Sequence, residues 1–473
     1  MFQRCTCLAL RTGVILLLIL LGMSCATPPA DPDQEVRPDD APPDRVEEPD
    51  RQDQYDLVVQ ALRSGRAREA GAILDDIGAP PEVPELWLAY GHLLLADGEF
   101  SAADRVYRAV AEHDTPVQAD ALYALALTTD NEASAESYLR EVLELEPEHT
   151  GAGSALGTLA LDGGRTEEAE QYFERVLQQN EEHFESLVGM ARIYLDRPPR
   201  RVALGYVDRA LAVDPDAGFV HAERGRILSI LRRTDEAIEA YRRAIELEPD
   251  TPWHYYDLGR VLQNAGRHED ALARFDEALA LEDEVFLFFF HRANSLYALG
   301  RYAEADAGYA RVLSAQPDYR DAFGLYAATA FLTGDFGRAA RYFERTYDEV
   351  TRVPSFAMLT GIALRQDGRR EESRAWFEQV RRLAGTESLY SQIAVEYQNP
   401  RNDDLTIRRI QNERDPSVRA RMSFYLGALY SLIDRPALAE ALLEAARVPE
   451  IEGSIEFELA GWFLDTYGQG HAR

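Results

Sequence analysis

The stretch GFVHAERGRILSILRRTDEAIEAYRRAIELEPD, residues 218–250, reads as two amphipathic helical patterns joined by a short polar turn. A small residue, Gly225, lies twelve positions before a second, Ala237, and Tyr241, Ala244 and Pro249 follow at spacings of four, three and five. The same set returns 34 residues on, as Gly259, Ala271, Phe275 and Ala278. Further steps of 34 give Ala293, Ala305, Tyr309 and Pro317, then Ala327, Ala339 and Phe343, then Gly361, Ser373 and Phe377. Self-similarity at one period is the mark of a stacked helical array.

Each 34-residue unit is a helix pair, because neither helix can bury its apolar stripe alone. Small residues at the eighth and twentieth positions are expected to let the two helices approach. Larger ones at the fourth, seventh, eleventh and twenty-fourth fill the space between units. Glycine recurs at the fifteenth position, as Gly65, Gly98, Gly164, Gly266, Gly300, Gly334 and Gly368. There the first helix must stop, and glycine accepts the left-handed backbone that ends it. Pro215, Pro249 and Pro317 mark the next boundary, since proline cannot continue a helix interior.

On these residues the chain resembles the tetratricopeptide-repeat family, with its W-x2-L-G-x2-Y, A-x3-F and P pattern. Trp87, Tyr90, Gly91, Leu94, Ala103 and Tyr107 give a further match outside the central units. The resemblance implies an all-α fold, a right-handed α-solenoid of about 12 helix-turn-helix repeats. It also implies a groove lined by positions 2, 5, 9 and 12 of each first helix.

Length and charge fit that reading. A chain of 473 residues exceeds the usual limit of one compact core, which a stack escapes by growing along one axis. The net charge is −32, and with no lysine present all 50 basic residues are arginine. Such acidity argues against a nucleic-acid backbone as partner, because phosphate binding rests on basic clusters.

Arg4 and Arg11, an apolar run from Val14 to Leu21, and Gly22-Met23-Ser24-Cys25 have the layout of a secretory signal, expected over residues 1–24. The run is short for a membrane span of about 20 residues. Its end resembles a bacterial lipobox, which makes Cys25 the expected lipidation site and outer-membrane anchoring the expectation. It departs from the lipobox in carrying Gly22 where a branched apolar residue is usual, so cleavage at another bond and a retained anchor stay open. Cys5 and Cys7 would leave with the signal, so no thiol remains for a disulfide, a metal or catalysis. Residues 25–54 hold seven prolines and ten acidic residues and read as a disordered tether.

The array is expected over residues 55–468. Its strongest units run from 218 to 385, a degenerate unit occupies 386–419, and a last helix over 453–468 is expected to cover the exposed end of the stack. Catalytic patterns are poor. The glycines of 151–157 faintly resemble a dinucleotide loop but fall on a first helix, where packing explains them. The nine histidines include no pair four apart, and no GxSxG elbow occurs. The sequence therefore points to a non-enzymatic protein with neither cofactor nor metal. A subunit or regulator of an enzyme, and an enzyme with a site at one end of the array, are the alternatives.

If the resemblance holds, position 9 places Arg192, Arg226, Arg260 and Asn294 along the groove, flanked by Phe219, Trp253, Tyr256, Phe290 and Tyr297. An arginine ladder bordered by aromatic rings suits a protein or extended peptide partner: guanidinium groups grip carboxylates or carbonyls and rings supply anchoring area. The same arginines could instead pair with nearby acids and serve only solubility. Both readings stand at the level of sequence. The expected role is a lipid-anchored envelope scaffold, with no nucleic acid among its partners.

Overall fold

A computed structural model describes residues 51–79, 82–399 and 403–468. Cys25 and all but the last residues of the expected tether lie outside these; the first helix, Arg51–Arg63, starts within the tether's expected span. The described chain is all-α: twelve helix pairs and a final helix, Ile455–Gly468. It falls into two units, one ending at Pro215 and the other starting at Asp216. Among the described residues no helix is long and apolar enough to cross a membrane.

The first unit holds five pairs, from Arg51–Arg63 with Ala67–Ile77 to Phe184–Asp196 with Arg201–Val213. Its apolar side chains gather in small clusters, such as Ala160, Ala169, Phe173, Met190 and Ile193. The second unit starts with Gly218–Ile230 and Thr234–Leu247, then Pro252–Asn264 and His268–Leu281, then Phe286–Ala298 and Tyr302–Ala315. Here one large apolar cluster takes in residues between Leu272 and Phe463. The stretch expected to be degenerate forms two short helices, Leu389–Gln398 and Asp403–Gln411, ahead of the 17-residue Pro416–Leu432.

The stops fall where the period puts them. All seven fifteenth-position glycines have φ between +69° and +87°. At Arg232 and Asp434 the period reaches a residue with a side chain and the backbone stays left-handed, with φ +59° and +58°. The small eighth position has a more specific partner than helix approach alone. A Cβ on Gly259 would lie 2.6 Å from the Phe275 ring, and one on Gly157 2.6 Å from that of Phe173. Position 8 is small in these pairs because the position-24 ring of the same pair comes close against its backbone.

Two arginine positions also repeat, for structural reasons. At position 16, Arg165, Arg267, Arg301 and others precede the second helix and pair with an acid three residues on: Glu168 at 3.0 Å, Asp270 at 2.6 Å, Glu304 at 2.7 Å. That acid sits in the helix's first turn, where the dipole favours it. At position 26 the guanidinium reaches back to the turn before its own unit. Arg175 donates to the Pro147 carbonyl at 2.9 Å, Arg209 to that of Glu181 at 2.6 Å, and Arg311 to that of Asp283 at 3.2 Å.

The last helix does not merely cover the end of the stack. It packs on Pro416–Leu432 and Pro436–Ala446, and it also reaches Phe323–Leu332. Trp462 meets Phe331 edge-on at 5.2 Å and Phe336 at 5.7 Å. The Tyr302 hydroxyl donates to Glu458 at 2.6 Å, and Gln366 donates to the Tyr467 hydroxyl at 3.1 Å. The cover expected over the end of the stack extends to earlier pairs as well: Leu459, Ala460 and Phe463 are fully buried.

Candidate functional site

The face assigned to the groove differs along the second unit. In Gly218–Ile230 and Pro252–Asn264 its side chains at positions 2 and 9, Phe219, Arg226, Trp253 and Arg260, meet water, while Tyr256 at position 5 is buried. In Phe323–Leu332 and Pro354–Gln366, Ala328, Phe331, Met358 and Ile362 on that face are fully buried. Every residue from Ala357 to Leu364 is buried, so that helix is covered on all sides.

In the first unit, Arg192 is half exposed and stands 3.8 Å from Asp162. In the second, Arg226 is gripped by Glu223, Nη2 to Oε2 at 2.6 Å and Nε to the same oxygen at 3.0 Å. Arg260 is held more loosely, 4.0 Å from Asp257 and 5.7 Å above the Tyr256 ring. Burial pushes the Asp257 carboxyl up more than Arg260, His254 and Arg226 pull it down, with Glu223 adding to the rise. The ladder is thus interleaved with acids, as the solubility reading expected. Asn294 ends it differently: its Oδ1 accepts from the Tyr309 hydroxyl at 2.7 Å, inside its own helix pair.

The flanking rings divide into two groups. Phe219 and Trp253, both at position 2, are 44% and 41% exposed. Tyr256, Phe290 and Tyr297 are buried, and their reading as ligand anchors is corrected. Tyr256 packs on Phe288 at 5.1 Å and on His291 at 5.4 Å. Phe290 meets Tyr319 edge-on at 5.0 Å, and Tyr297 meets Tyr302 at 5.5 Å. Burial, with Glu458 and other neighbours including Glu456 adding to it, drives the Tyr297 phenol well above its ordinary range. Each of these rings faces another helix of the stack or the incoming last helix rather than water.

Beside Arg260 lies a polar network that sequence reading missed. Gln263 donates to the His291 carbonyl and to Ser295 Oγ, both at 2.8 Å, while its Oε1 accepts from His291 Nδ1 at 3.0 Å. The filling of the later face was missed too, although the sequence carries a signal for it. IEFELAGWFLDTYG (455–468) and PSVRARMSFYLGALYSL (416–432) lack a clean polar stripe, and a helix apolar on most sides must be buried.

Comparison with known proteins bears on the repeats. The family described as TPR repeat matches residues 225–266, and families described as Tetratricopeptide repeat match 256–320, 290–351 and 328–388, and 126–180. No curated protein matches the chain. Among solved structures, the chain is similar to MamA at 19% identity, with 37% of this chain and 96% of that one covered and a TM-score of 0.34. It is similar to pilF of Pseudomonas aeruginosa at 22% identity, covering 42% and 91%, with a TM-score of 0.39. PilW, a widely conserved type IV pilus biogenesis factor, is 24% identical over 44% of this chain and 96% of its own, with a TM-score of 0.37. On helix pairing, glycine stops and these family matches, the chain carries tetratricopeptide repeats, matched directly over residues 126–180 and 225–388.

Proposed function

We propose that the protein is a non-catalytic scaffold of the bacterial envelope, lipid-anchored at Cys25, that docks a protein partner on the open face of helices Gly218–Ile230 and Pro252–Asn264 and supports assembly of an envelope complex. The observation that carries the docking role is the pair of exposed rings, Phe219 and Trp253, one repeat apart beside the half-exposed Arg226 and Arg260. Exposed aromatic residues next to arginine are the residue types that dominate binding energy at interfaces. The anchoring role rests on the signal-like residues 1–24 and the single cysteine placed after them.

Two experiments test these parts separately. Envelope extracts passed over the full-length protein should yield a partner that Phe219→Ala/Trp253→Ala no longer retains, while circular dichroism shows the variant still folded. A folded double variant that keeps every partner at full affinity would exclude this face. For the anchor, Cys25→Ser should release the protein into the soluble fraction or leave it uncleaved. Unchanged membrane partitioning of a lipid-free N-terminus would rule the lipid out.

A further inference from the structure

We propose that the partner enters the open face as an α-helix with aromatic side chains and a carboxylate on its docked side, rather than as an extended peptide. This rests on the docking role above and specifies its ligand. The same unit already holds one such helix two repeats further on, against Phe331 at position 12 of that face and against Phe336 and Tyr302 at the starts of the second helices. Ile455–Gly468 lies there with Trp462 on Phe331 and Phe336, and with the Glu458 carboxylate taking a hydrogen bond from Tyr302.

The open face has side chains suited to a helix and poorly suited to an extended chain. An extended peptide presents backbone N–H and C=O groups that need partners, and a surface built of helices can answer them only with side chains. The amides available are already engaged, Gln263 with His291 and Ser295 and Asn294 with Tyr309. Arg226 is engaged as well, by Glu223. A helix satisfies its own backbone and asks for apolar area, which Phe219 and Trp253 offer. Arg260 supplies the polar element. With its nearest acid 4.0 Å away, its fork of donors can take a carboxylate in two-point fashion.

The probe is a fluorescein-labelled peptide, GSIEFELAGWFLDTYG, copied from residues 453–468 and titrated into the full-length protein by anisotropy. A control peptide carries Ala460→Pro, which breaks the helix. The expected result is saturable binding of the helical peptide only. It should weaken about tenfold or more in Phe219→Ala/Trp253→Ala and several-fold in Arg260→Ala, and be unaffected by Trp462→Ala in the protein. Equal binding of the proline peptide would overturn the helical mode. Binding indifferent to Phe219 and Trp253 but strengthened by Trp462→Ala would also overturn it, because the peptide would then be exchanging with the chain's own last helix. Absence of peptide binding would overturn it too, and retention of a captured partner sensitive to Phe219→Ala/Trp253→Ala would leave the docking role standing alone.

Discussion

Arg232 occupies the one kind of backbone position for which side chains are least suited. At φ +59° its Cβ crowds the adjacent carbonyl, and seven other repeats put glycine there. The turn is fixed by the helices on either side, so the residue conforms. Arg232→Gly is expected to raise stability by about 0.5–1 kcal/mol, the strain relieved less the added freedom of the unfolded chain. Chemical denaturation of the two proteins checks this, and a loss of stability would mean that the guanidinium makes a contact outweighing the strain. The companion position, Asp434, should respond in the same direction. At this scale the sequence was highly legible. Glycine at position 15 is enough to mark the turn, and the small residue at position 8 to mark a close approach. The ring it approaches, as Phe275 approaches Gly259, follows only once the pair is folded.

Elements were legible in proportion to how locally they are determined. Helix pairs at 218–281 follow from apolar spacing and stops, all contained within one period. The inner face did not follow so simply, because what covers it arrives from elsewhere in the chain. Periodicity can place Tyr256, Phe290 and Tyr297 on that face, but cannot say which neighbours bury them. Helix Phe286–Ala298 shows the energetic side of this burial. Its His291 lies among Tyr256, Phe275 and Phe290, and burial, reinforced by Arg260, depresses its pKa to about 4. The unfolded chain has an ordinary histidine value near 6.5. The unfolded state therefore binds the proton first, and the folded state loses stability as pH falls from about 6.5 towards 4. The loss from this residue is up to roughly 3 kcal/mol. Thermal melts of the protein and of His291→Gln across that range measure it. The substitution should flatten the dependence, and identical slopes would show that the imidazole is not the group responsible.

At the scale of the whole molecule the two units are built differently. The first has separate clusters, each shared by neighbouring helices, so a core truncation such as Val58→Ala should loosen its own surroundings. The second has, from Leu272 onward, one large cluster that includes the last helix. Phe463, fully buried, touches Phe331 and Phe424. Phe463→Ala should cost about 3–5 kcal/mol and speed amide exchange in Phe323–Leu332 as well as in the last helix. Exchange confined to residues 455–468 would mean that the helix is a detachable appendage. Repeat arrays ordinarily gain structure unit by unit from any starting point. The contact from Tyr302 to Glu458 spans 156 residues, which changes that order of events. A nascent second unit holds Phe331 and Phe336 in water until the ribosome has released residue 462. An arrest near residue 450 would leave an aromatic seam without its cover, the kind of transient surface on which chaperones act and aggregation starts.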